Sequence, residues 1–145
     1  MRPYFEKMPV FGREMNAGQI KSAEENVKQI REVEEQLRKD AEKVKQAGFS
    51  EEKINARGQL TVWQRLEYLV DPGTWTPLHT LYNPNDNVEG TTNVIDGLGK
   101  ISGKWAVIIG FDNKVMAGAW IAGQADNQLR VTDMAKRLHV PLVWI

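Results

Sequence analysis

Leu98-Gly99-Lys100-Ile101-Ser102-Gly103-Lys104-Trp105-Ala106-Val107-Ile108-Ile109-Gly110-Phe111 decides the fold of this chain. Ser102-Gly103 between two apolar and β-branched runs predicts a tight two-residue turn joining strands over 98–101 and 104–111. Just upstream, 92–95 reads as a further strand, set off by Gly97 and Gly99. Asp112-Asn113 offers a second tight turn before Val115-Met116. Residues 125–138 then predict a helix with Leu129, Thr132, Met134, Ala135 and Leu138 on its buried side. Val140-Pro141-Leu142-Val143-Trp144-Ile145 predicts a buried strand. A helix leading into an apolar strand is half of a βαβ unit, which makes the class α/β. Such a strand is expected to run on into a loop and another element, so the halt at Ile145 reads as the end of a fragment.

Toward the N-terminus the period changes. Ile20, Ala23, Val27, Ile30, Leu37, Ala41 and Val44 recur at three and four residues, the stripe of an amphipathic helix over about 17–47. Glu34 interrupts the stripe and Val33 substitutes off phase. Glu24 with Lys28 and Glu35 with Lys39 are i, i+4 pairs in the favourable orientation, each contributing about 0.3 kcal/mol. A bare helix gains little alone, so the stripe either docks on its own domain or meets another chain as a coiled coil. Gly48 is a natural C-cap, and Ser50-Glu51-Glu52 starts a short second helix. Thr61 and Gln64 form a capping box for a helix whose apolar face is Val62, Leu66, Leu69 and Val70. Asp71-Pro72-Gly73 ends it. Residues 75–81 read as extended and 83–87 as a loop. The resulting division is a helical segment over 1–56 and an α/β domain from 57 to 145.

Composition narrows the function. The chain has 145 residues, 41% of them hydrophobic, and 19 basic residues balance 19 acidic ones. Zero net charge argues against general nucleic-acid binding, which needs an excess of positive charge. With no cysteine and two histidines, His79 and His139, far apart, neither a thiol nucleophile nor a Cys- or His-based metal site is expected. No apolar run approaches the roughly 20 residues of a membrane span, and the N-terminus lacks a signal-peptide core; the chain reads as cytosolic. No Ser-His-Asp order or Walker-type loop is present. His139 reads as a helix C-cap, His79 as a surface or packing residue, and the five tryptophans as core or interface fillers.

The informative stretch is 112–124. A strand, a tight turn and then the small residues Ala117-Gly118-Ala119 let another backbone or a ligand approach closely. Gly123 precedes helix amides able to receive an anion. Tight packing and ligand binding both remain open for these residues.

A family resemblance bears on that choice. Met8-Pro9-Val10-Phe11-Gly12, Arg57-Gly58-Gln59-Leu60-Thr61, Gln64-Arg65-Leu66-Glu67 and Asp71-Pro72-Gly73-Thr74-Trp75 match a known pattern. So do Gly97-Leu98-Gly99-Lys100, Gly103-Lys104-Trp105, Asp112-Asn113-Lys114, Ala117-Gly118-Ala119-Trp120 and Leu138-His139-Val140-Pro141-Leu142-Val143. With these the chain resembles the N-terminal part of glutaconyl-CoA decarboxylase alpha subunits, biotin-dependent acyl-CoA carboxyltransferases of the crotonase-like (ClpP/crotonase) superfamily. The resemblance implies an α/β crotonase-like carboxyltransferase domain, here its N-terminal portion, preceded by the long amphipathic helix. It implies an enzyme that moves a carboxyl group from glutaconyl-CoA to biotin on a carrier subunit, giving crotonyl-CoA in glutamate fermentation. A membrane decarboxylase subunit then exports sodium. A homo-oligomer, cytoplasmic and held at the membrane through partner subunits, is expected. Oxyanion-hole loops and the biotin-binding half are expected beyond Ile145, and no residue of this chain is assigned a catalytic role. Ala117 and Gly118 match the turn along the CoA pantetheine arm, with Lys114 near a CoA phosphate. The alternatives are a propionyl-, methylmalonyl- or acetyl-CoA carboxyltransferase, or a helical subunit-interaction module.

Overall fold

A computed structural model describes residues 12–86 and 90–145. Of the readings above, residues 8–11 of the first matching stretch and Asn87 of the loop lie outside these residues. The order of elements is α1 (Ala17–Gln46), α2 (Glu51–Asn55), α3 (Val62–Leu69), β1 (Thr76–Leu78), β2 (Val94–Ile101), β3 (Lys104–Phe111), a 3-10 turn (Met116–Gly118), α4 (Gln124–Leu138) and β4 (Leu142–Trp144). Compactness divides the chain inside α1, between Leu37 and Arg38.

The unit from Arg38 onward is built on one four-stranded sheet in the order β1-β2-β3-β4. β1 and β2 are antiparallel, as are β2 and β3, while β4 runs parallel to β3. β3, α4 and β4 therefore make the expected βαβ unit. The run Ala106–Ile109 is apolar without alternation because helices cover both faces. Ala106 and Ile108 pack with Ile95 against Val62, Leu66 and Val70 of α3 and its end. Val107 and Ile109 pack with Val94 against Val131 and Ala135 of α4.

The local chemistry explains each boundary. Thr61 accepts from the Gln64 amide at 3.2 Å while the Gln64 side chain accepts from the Thr61 amide at 3.0 Å, closing the capping box. Ser50 caps α2. Ser102 (φ 51°) and Gly103 (φ 80°) make the hairpin turn. The Asp71 carboxylate holds that turn from outside, accepting from the Ser102 and Gly103 amides at 3.0 and 2.7 Å. His139 (φ 52°) closes α4 through its own amide, which donates to the Ala135 and Lys136 carbonyls.

Five expectations are corrected. Residues 92–101 are not two strands joined by glycines: β2 runs unbroken from Val94 to Ile101. A Cβ at Gly97 would stand 2.5 Å from the Thr76 carbonyl oxygen and 2.6 Å from the Trp75 ring, so this glycine admits β1 and Trp75 to the sheet. Extended structure over 75–81 shrinks to β1, because His79 turns to φ 49°. On α4, Leu129, Thr132 and Leu138 face solvent, and the buried side is Gln124, Asn127, Val131 and Ala135. β4 is a half-covered edge strand, and Trp105, Trp120 and Trp144 are exposed, which removes the core reading for these three and leaves the interface one.

Replacing Asp71 by Ala should lower stability by about 1–3 kcal/mol, the loss of two charge-assisted acceptors at the hairpin turn. Urea unfolding of the two proteins measures it; an unchanged midpoint would show that the turn holds without the carboxylate.

Candidate functional site

The loop leaving β3 is held by buried polar groups. Asp112 accepts from the Lys114 amide at 2.9 Å and from Trp63 Nε1 at 3.1 Å, and its own amide donates to the Asn93 carbonyl at 2.7 Å. Burial pushes the Asp112 carboxyl above its ordinary value, against the opposing effect of those donors. Asn93 Nδ2 donates to the Ala119 carbonyl at 3.0 Å. Gln124 Nε2 donates to the same carbonyl at 3.0 Å and also to Asn93 Oδ1. Between these anchors Met116, Ala117 and Gly118 take φ values of 47°, 57° and 74° in succession. Left-handed backbone at non-glycine residues costs on the order of 1 kcal/mol each and persists only where the surroundings impose it.

Ala117 and Gly118 line a cleft of ≈ 430 Å³ together with Leu60, Arg65, Phe111, Asn113 and Ile145. Arg65, on α3, donates to the Leu60 carbonyl at 3.1 Å, and Asn113 Nδ2 donates to it at 3.0 Å. Asn113 Oδ1 is buried with no partner. The structure thus brings two of the three proposed contact residues, Ala117 and Gly118, onto one wall. It does not bring Lys114 to them. That side chain is 5% exposed, and its ammonium donates to the Lys45 carbonyl in the last turn of α1. A cation there answers the unpaired carbonyls and the negative pole of the helix end. The charge at the cleft comes instead from Arg65, which sequence reasoning did not single out; its place on a capping-box helix, one turn from Thr61, was the available signal. The amides opening α4 are poor anion receivers as well: Pro84, Asn85 and Thr92 crowd Gly123, and Asp126 puts a carboxylate in the first turn. Among the described residues no cluster of His, Asp and Glu is arranged to hold a metal.

Residues 53–145 match the model of the carboxyl transferase domain. The chain belongs to that family. Over its full length this carboxyl transferase chain is 43% identical to glutaconyl-CoA decarboxylase subunit alpha of Acidaminococcus fermentans, of which it spans 24%. Over 65% of its length it is 28% identical to the mitochondrial methylcrotonoyl-CoA carboxylase beta chain of Dictyostelium discoideum, spanning 17% of that protein. Among solved structures it resembles transcarboxylase 12S with methylmalonyl-coenzyme A bound (24% identity, TM-score 0.66, 76% of this chain and 23% of that one). It also resembles the beta subunit of Pseudomonas aeruginosa geranyl-CoA carboxylase (22%, TM-score 0.60, 99% and 26%). These likenesses establish the crotonase-like fold. The family implies biotin, carried on a partner subunit, and no residue of this cleft is assigned to holding it.

A second titratable group lies away from the cleft. His79 is neither a surface nor a plain packing residue: its Nδ1 stands 3.0 Å from Asp96 Oδ1. Asp96 is buried in β2 and its Oδ2 has no partner. Desolvation pushes its carboxyl up from 3.8 to about 6, in spite of the lowering effect of His79. Because the folded protein favours the acid form, the stability owed to Asp96 is complete below about pH 4 and is lost as pH rises through about 6. Asp96→Asn keeps an acceptor for His79 and removes the buried charge. At pH 8 it should be more stable than the parent by about 1–2 kcal/mol, the gap closing toward pH 4. Thermal unfolding across that range is the measurement, and a variant weaker at every pH would contradict the assigned cause.

Proposed function

We propose that this chain supplies part of the CoA-binding wall of an acyl-CoA carboxyltransferase of the glutaconyl-CoA decarboxylase branch. The observation that carries the reading is the strained turn at Ala117-Gly118, opening onto a cleft with a guanidinium on its rim. Left-handed residues followed by a glycine bring backbone to the surface with little side chain above it, which suits a narrow pantetheine arm. Arg65 offers a delocalised cation for a phosphate, a role Lys114 takes only by leaving the α1 carbonyl. Asn113 Oδ1 gains a donor if an amide N–H of the arm reaches it. Full-length identity to the Acidaminococcus subunit supports the choice of branch.

The reaction proposed for the whole protein moves the carboxyl group of glutaconyl-CoA to biotin on a carrier subunit and releases crotonyl-CoA. Sodium export by a membrane partner, a cytoplasmic location and assembly as a homo-oligomer belong to the same proposal. Within the chain, residues 57–145 form the carboxyltransferase part and 1–56 lead into it. What these residues contribute is binding, through the turn and the guanidinium.

Gly118→Val in the complete enzyme should raise KM for glutaconyl-CoA about tenfold or more and change kcat by less than about threefold, the pattern of lost binding. Arg65→Met should weaken CoA more than dephospho-CoA if the guanidinium meets the 3′-phosphate. Steady-state decarboxylation and calorimetric titration, with circular dichroism to confirm folding, provide the readouts. An unchanged KM in the valine variant would remove CoA from this turn, and a preference for propionyl- over glutaconyl-CoA would reassign the branch.

A further inference from the structure

α1 changes character along its length. Val44, near its end, is buried, whereas Ile20, Val27, Ile30, Val33 and Leu37 are between 44 and 60% exposed. The exposed part carries a heptad pattern broken at one position, with Ile20, Val27 and the interrupting Glu34 at a positions and Ala23, Ile30 and Leu37 at d positions. A helix with an uncovered stripe of this kind is stabilised by a second helix rather than by its own propensity.

We propose that residues 17–37 of α1 pair with the same segment of a second copy of the chain as an antiparallel coiled coil centred between Lys28 and Gln29. The flanking charges and the one polar seam position select both occupant and direction. In this register Ile20 meets Leu37 of the second copy, Val27 meets Ile30, and Glu34 meets Ala23. The smallest side chain of the seam thus faces the only charged one, leaving room for the carboxylate to reach water along its stem. At the flanking e positions Glu24 faces Arg31 of the second copy, and the two-fold axis repeats the pair. A parallel pairing does the reverse. It sets Glu34 against Glu34 in the seam, a like-charge contact out of water. Its g-to-e contacts, Gln19 with Glu24, Asn26 with Arg31 and Val33 with Arg38, contain no opposite charges. One chain is therefore complementary to itself in only one of the two directions.

The test uses the absence of cysteine. Ile20 and Leu37 of one helix are about 25 Å apart, too far for an intrachain bond, so an oxidised Ile20→Cys/Leu37→Cys double variant should form a covalent dimer. Neither single variant should do so. By sedimentation equilibrium, Glu24→Arg should weaken dimerisation at least about tenfold, because it sets a second guanidinium against Arg31; Glu24→Arg/Arg31→Glu should recover the parent affinity to within about threefold. Cross-linking of Ile20→Cys to itself would show a parallel pair and overturn the proposal. A chain that stays monomeric at about 100 µM, or a dimer indifferent to both the charge exchange and the double cysteine, overturns it as well.

Discussion

The contact between Asn93 and Gln124 is the constraint on which the site loop depends. Asn93 sits at the entry to β2 with φ 54° and no solvent exposure, and Gln124 is the first residue of α4. Their side chains meet each other, and both reach the Ala119 carbonyl. Gln124 also donates to the Thr92 carbonyl at 3.2 Å, and Asn127 donates to the Thr92 hydroxyl at 3.2 Å. A buried polar group without a partner costs about 1–3 kcal/mol, so these amides tolerate few arrangements of the loop above them. Gln124 Oε1 and Asn127 Oδ1 have no partner, which shows that the cluster is not optimised for stability. It specifies a geometry instead: with 119 fixed at one end and Asp112 at the other, residues 116–118 have no extended path and take the left-handed one.

The same loop is tied to the rest of the unit on its far side. Lys114 donates through its ammonium to the Lys45 carbonyl and accepts at its own carbonyl from the Phe49 amide at 3.0 Å. Gly48 makes the approach possible, since a Cβ there would stand 2.2 Å from the Lys114 oxygen. Asp112 binds Trp63 of α3, whose next turn carries Leu66 into the core. The last turn of α1, α3 and the β3 exit therefore meet at 112–114, where Asn113 already lines the cleft. Lys114, expected near a CoA phosphate, is instead a structural cation because a helix end with open carbonyls was folded onto it. Sequence distance hid that pairing, which joins residues 45 and 114.

What the sequence showed and what it hid divide along local against long-range contacts. The Thr61–Gln64 capping box, the Ser102-Gly103 turn and the bounds of α1 are set by neighbours within a few residues, and each was legible; the βαβ unit was legible from its pattern, although its strands pair Val107 with Leu142. The unbroken β2 was not, because Gly97 resembles punctuation until Trp75 is known to need its missing Cβ. The buried face of α4 was misread because Gln124 and Asn127 occupy interior positions for their hydrogen bonds, while Leu129 at 69% exposure does not. Binary patterning fails where a polar network replaces apolar packing. For the site, the small residues Ala117 and Gly118 marked the turn that lines the cleft. Arg65 gave only its place on the capping-box helix, and the His79–Asp96 pair gave no sign, since their roles arise only when separate strands and helices are brought together.

The strain of the turn at 116–118 is balanced by hydrogen bonds within the turn and just past it. Three left-handed residues in succession, two with a Cβ, would relax in a loop free at either end. Here the 3-10 bonds from the Gly118 amide to Val115 and from the Ala119 amide to Met116, both 3.0 Å, close the turn on itself. Asn93 then grips the Ala119 carbonyl just past it. A ligand lying along Ala117 and Gly118 meets backbone already fixed, so little conformational entropy is lost on binding. The strain is accordingly carried by the folding of the domain.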